Sequence, residues 1–109
     1  MSDLEEMRNA IVAFTQERDW DQFHDGKNLA IALSIEASEL LESFLWKDAK
    51  DVKQSKIEEE LADVFNYAIL IADKYNLDVK KIVLEKLKRN AEKYPVEKSR
   101  GSAKKYDEL

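Results

Sequence analysis

Leu29-Ala-Ile-Ala-Leu-Ser-Ile-Glu36-Ala-Ser-Glu39-Leu-Leu41 and, further along, Glu60-Leu-Ala-Asp63-Val-Phe-Asn-Tyr67-Ala-Ile-Leu-Ile-Ala72 repeat their apolar residues at three- and four-residue intervals. That is the period of a helix, sustained for longer than a strand runs. In the first segment Leu29, Leu33, Ala37, Leu40, Leu41 and Phe44 form one stripe, and between Leu29 and Ile35 only Ser34 is polar, so this half is expected to be buried nearly all round. In the second, Ile57, Leu61, Val64, Phe65, Ala68, Ile69 and Ala72 share a face. The fold class that follows is all-α.

Working outward, Ser2 and Glu5 have the form of a capping box, and Leu4, Met7, Ile11 and Phe14 continue at helical spacing, so a first helix is expected to about residue 18. Arg18 to Gly26 mixes polar residues with Trp20, Phe23 and His24 and has no helical period; it reads as a loop. The second helix is expected from Lys27 to Trp46, a charged connection from Asp48 to Ser55, and the third helix to about Tyr75. Asp78 caps a fourth helix carrying Val79, Ile82, Val83, Leu87 and Ala91 up to Tyr94, where Pro95 stops it. This gives a helical domain over residues 1–95, a bundle of four to five helices, and a basic tail over 96–109, expected to be mobile without a ligand.

The bulk properties narrow the function. A chain of 109 residues, 44% hydrophobic and 38% charged, fits one small domain whose site must come from the core helices. The absence of cysteine excludes disulfides, thiolate metal sites and cysteine nucleophiles. An acidic N-terminus without a signal-like core, and no apolar run long enough to span a membrane, suggest a soluble cytoplasmic protein with no membrane partner. A net charge of −5 argues against binding a nucleic-acid polymer, though a divalent cation can still bring a polyphosphate to an acidic surface. Helices this apolar also carry more hydrophobic surface than a small bundle buries, which points to self-association.

Residues three apart share a helix face, so Glu36 with Glu39, and Glu60 with Asp63, each form an acidic pair beside an apolar stripe. If the second and third helices pack antiparallel, the pairs converge, and four clustered carboxylates need a cation. No basic residue lies between Lys27 and Lys47 or between Lys56 and Lys74. Hard oxygen ligands suit Mg²⁺, with Mn²⁺ as a substitute. A di-iron centre of the Glu-x-x-His kind is excluded, because the single histidine, His24, lies outside both motifs.

This arrangement resembles the metal motif of the MazG-type all-α nucleoside triphosphate pyrophosphohydrolases. The stretches Glu17 to His24, Lys27-Asn-Leu-Ala, Leu40 to Trp46, Asn90 through Pro95, and Lys105-Tyr-Asp-Glu-Leu109 are similar to the small dCTP pyrophosphatase branch of that family. The resemblance implies an enzyme that converts a nucleoside triphosphate, dCTP or a modified dCTP, to the monophosphate and pyrophosphate, in a homodimer or a homotetramer built as a dimer of dimers. It implies Glu36, Glu39, Glu60 and Asp63 as Mg²⁺ ligands and catalytic groups, and Trp20, His24 and Trp46 around the base. Tyr67 and Asn90 are implied at the nucleotide, while Lys27 and Lys93, with Arg100, Lys104 and Lys105 of the tail, are placed to meet phosphates. Ile11 departs from the branch where a histidine stands near the base in animal members, and an aliphatic side chain cannot hydrogen-bond a cytosine edge. The alternatives are the same reaction on dUTP or other non-standard triphosphates, phosphoribosyl-ATP included, and a non-catalytic helical binding or oligomerisation module.

Overall fold

The computed structural model describes residues 1–109 and is helical throughout, with no strand. Its five helices are α1 (Asp3–Glu17), α2 (Gly26–Glu42), α3 (Gln54–Lys74), α4 (Val79–Lys93) and α5 (Val96–Ser99), with single 3₁₀ turns at Asp21–Phe23, Ala49–Asp51 and Tyr106–Glu108. The chain divides into two compact units, Met1–Leu77 and Asp78–Leu109.

In the first unit the helix starts are set by side chains. Ser2 accepts the Glu5 N–H at 3.1 Å while Glu5 returns a bond to the Ser2 amide, and Asp25 accepts the Asn28 N–H at 2.7 Å to start α2. Gly26 follows because Tyr75, at the end of α3, lies against its α-carbon; a Cβ there would collide with the ring and hydroxyl. The packing of α3 is most extensive against α2, and it also packs on α1. Leu29, Ile69, Leu70 and Ala72 form the buried centre. Complete burial of Leu29 alone removes enough apolar surface to contribute about 2 kcal/mol.

Two expectations for α2 are corrected. The segment is not buried all round, because Leu29 is 1% exposed but Ile31 is 48% and Ile35 53%, so one side of α2 is uncovered within this chain. Nor does the helix reach Trp46. The Ser43 N–H is shared among the Glu39, Leu40 and Leu41 carbonyls, and the next amides bond three residues back, Phe44 to Leu41 and Leu45 to Glu42, so the helix tightens into successive turns; the Ser43 hydroxyl also donates to the Glu39 carbonyl at 3.2 Å. Trp46 then takes a left-handed backbone conformation, φ +63°, with its ring fully exposed.

In the second unit Asp78 caps α4 by accepting the Lys81 N–H at 3.1 Å, and α4 ends before Pro95. Residues 96–109 contain α5 and a 3₁₀ turn that sets the Tyr106 ring edge-on to Tyr94, with centroids 6.1 Å apart.

Candidate active site

The short connection between α2 and α3 reverses the chain, so residues pair across the helices in opposite order: Ser43 and Lys47 with Lys53 and Lys56, then Glu36 with Glu60 and Asp63. One carboxylate oxygen from each of Glu36, Glu60 and Asp63 lies within 4.8 Å of the others. Glu39, one turn on from Glu36, stands beside it rather than in this three-oxygen set.

Burial first, then the neighbouring Glu39 carboxyl, then the negative charges of Asp63 and Glu60, push the Glu36 carboxyl up to about 7. Its Oε2 is buried and has no hydrogen-bond partner. Glu60 is more enclosed still, 7% exposed, although its position beside Leu61 gave less warning of this than those of Glu36 and Asp63. Its charge is answered locally. Lys56, one turn earlier on α3, places Nζ 2.6 Å from Glu60 Oε1, so a base at the very edge of the base-free interval still reaches the cluster. Lys56 precedes the base-free interval by a single position, and the four-residue helical repeat brings it back over Glu60.

Oxygens gathered this way can close onto a hard divalent cation with small side-chain movements, and a buried carboxylate oxygen without a partner is the kind of atom such an ion satisfies. The residues present therefore fit a divalent metal, with Glu36, Glu60 and Asp63 nearest one another and Glu39 adjoining.

A cavity of about 390 Å³ opens beside Glu36 and Asp63. Its walls bring together Phe14 of α1, Trp20 and His24 of the following loop, and Tyr67 of α3. Phe14 and Trp20 meet edge-on at 5.7 Å between centroids, and the Arg18 guanidinium covers the Phe14 ring at 3.7 Å. Burial, then the charges of Glu36, Asp63 and Glu39, raise the Tyr67 hydroxyl above its usual range, so it remains a hydrogen-bond donor.

Residues 31–109 match the MazG-like family. The chain belongs to that family. Among curated relatives it is 41% identical to dCTP pyrophosphatase 1 of Rattus norvegicus and 37% identical to that of Homo sapiens, in each case over 97% of this chain and 67% of the relative. A crystal structure of a pyrophosphatase from Archaeoglobus fulgidus, 33% identical, superposes with a TM-score of 0.80, covering 87% of this chain and 94% of that one.

In this MazG-like chain the cavity gathers Trp20, His24, Tyr67, Glu36 and Asp63 from separate elements, but not every residue singled out from sequence. Trp46 and Lys27 are exposed and line no part of it; Trp46 is carried away by the early end of α2, and Lys27 points from the first turn of that helix to solvent. Asn90 and Lys93 belong to α4 in the second unit, where the Lys93 ammonium lies 4.9 Å from the centre of the Tyr106 ring. Sequence reading missed Asn66, which lines the cavity and donates to Asp63 Oδ1 at 3.4 Å. Its signal was the i, i+3 spacing from Asp63. Ile11 also lines this cavity, so the departure noted in sequence falls on its wall.

Proposed function

We propose that the chain uses Mg²⁺ to hydrolyse dCTP, or a base-modified dCTP, to the monophosphate and pyrophosphate. It is a nucleoside triphosphate diphosphatase. The observation that carries the substrate and metal is the meeting of Glu36, Glu60 and Asp63 at the edge of a ring-lined cavity with room for a base.

In this reading Glu36, Glu39, Glu60 and Asp63 hold the cation. When bound, it supplies a Lewis acid for phosphate oxygens and makes water easier to deprotonate. The chain's own groups do the rest. Trp20, His24 and Tyr67 hold the base by stacking and hydrogen bonding, which fixes the polyphosphate over the carboxylates. One of the two α2 glutamates takes the proton from the attacking water, a role suited to a carboxyl titrating near neutrality. Asn66 orients Asp63. Lys93, Asn90 and the basic tail are assigned to the polyphosphate in the same reading. A homodimer or homotetramer belongs to it as well, since Ile31 and Ile35 of α2 and Leu61 and Phe65 of α3 are left uncovered.

Ile11 on the cavity wall favours a second reading, with the same chemistry on dUTP or other non-standard triphosphates. Pyrophosphate release measured across a panel of triphosphates tests both. The proposal expects dCTP or a C5-modified dCTP to lead with a strict need for Mg²⁺; equal turnover of dUTP selects the second reading, and no release from any triphosphate rejects both.

A further inference from the structure

The carboxylate cluster has a second side. Beyond Glu39 and Glu60 lies another cavity, about 680 Å³, between the end of α2 and the start of α3. It contains no aromatic ring, and three lysines, Lys47, Lys53 and Lys56, stand on its walls with Glu39, Glu42 and Glu60. The cavity beside Glu36 and Asp63 is the reverse: four rings line it and no lysine or arginine does. The four acids thus form a partition, two of them lining each space. Lys56 belongs to both the partition and the lysine-lined space, because one of its three N–H donors is held by Glu60 and the others remain for a further acceptor.

We propose that the cavity lined by Lys47, Lys53 and Lys56 is the binding subsite for the pyrophosphate end of the triphosphate. The inference rests on the hydrolase reading above and deepens it. A nucleoside triphosphate has one aromatic end and one polyanionic end, and the two cavities match those ends across a shared metal-binding wall. Hydrolysis breaks one bond of the Pα–O–Pβ bridge; water delivers its hydroxyl to one phosphorus, the bridging oxygen keeps the electron pair on the other fragment, and the water proton goes to a carboxylate. The products together carry one more negative charge than the substrate, and ammonium groups around the diphosphate fragment stabilise that charge.

Lys47 and Lys53 are the residues to change, because neither side chain is in an ion pair and both are exposed. The test titrates Mg²⁺-pyrophosphate into the full-length wild type and the Lys47→Gln/Lys53→Gln double variant by calorimetry, and measures product inhibition by pyrophosphate and by dCMP. Loss of two charge contacts is expected to weaken pyrophosphate binding about tenfold and raise KM for dCTP by a similar factor, with dCMP inhibition and the Mg²⁺-induced rise in Tm unchanged. Equal pyrophosphate affinity in both proteins, or equal weakening of dCMP, would overturn the subsite. If the wild type binds pyrophosphate through these lysines yet hydrolyses no triphosphate, the subsite stands and the hydrolase reading falls. Hydrolysis with lysine-independent pyrophosphate binding overturns the subsite and leaves the hydrolase reading in place.

Discussion

Glu36–Glu39 on α2 and Glu60–Asp63 on α3 are the same pattern on consecutive helices, two acids three residues apart at the edge of an apolar stripe. Their surroundings differ. The α3 pair is supported from within its own helix, by Lys56 on Glu60 and Asn66 on Asp63. The α2 pair has neither, and its two carboxyls lie against each other, so Glu36 retains its proton up to about pH 7. Spacing places acids on a face, but the residue one turn away decides how each carries its charge. The α3 pair reads as a preformed anionic seat, and Glu36 of the α2 pair as the group that gives up its proton when a cation arrives.

Loss of an acid from either half should have the largest effect. Glu36→Gln and Asp63→Asn should each lower Mg²⁺-dependent turnover by about a thousandfold or more while far-UV circular dichroism stays helical, since each removes a ligand of the cation that neutralises the reacting phosphates. Near-normal turnover in either variant would remove that acid from the site.

The two halves should also differ in their response to pH. Unfolded, Glu36 releases its proton near pH 4.5; folded, it keeps it to about 7. Within that window the folded chain binds the extra proton, so chelator-treated protein should lose stability as pH rises from about 4.5 to 7. Glu36→Gln should flatten that part of the profile, as read by Tm, and Mg²⁺ should bind more tightly as pH rises through the same window, releasing a proton.

The smallest effect is expected at Lys56. Lys56→Gln leaves Glu60 enclosed without its partner, so in chelator Tm should fall by about a few degrees, with most of the loss recovered on adding Mg²⁺. Failure of Mg²⁺ to recover it would mean that Lys56 supports the fold rather than the charge of the cluster.

Helix period, caps and the stop at Pro95 are local properties, and they made the helices and the acidic pairs legible from residues alone. Three features were not. The uncovered side of Ile31 and Ile35 depends on what packs against α2, which no stretch of its own sequence states. The end of α2 before Trp46 is a change from four-residue to three-residue backbone hydrogen bonding at Ser43 to Leu45, which the apolar period does not record. The gathering of Phe14, Trp20 and His24 against Tyr67 is a tertiary event between α1, the loop and α3, and only the family resemblance pointed to part of it. Lys56 lies one turn before Glu60, outside the stretch the acids themselves span, and only the helical repeat brings it onto them.

The central claim is that acids from α2 and α3 form one cation site, and thermal unfolding with increasing Mg²⁺ at pH 7.5 tests it most directly. The wild type should gain about 2.7 kcal/mol at a Mg²⁺ concentration a hundredfold above Kd, and Asp63→Asn and Glu36→Gln should gain little. A Tm that ignores Mg²⁺ in the wild type, or rises equally in all three proteins, would contradict it.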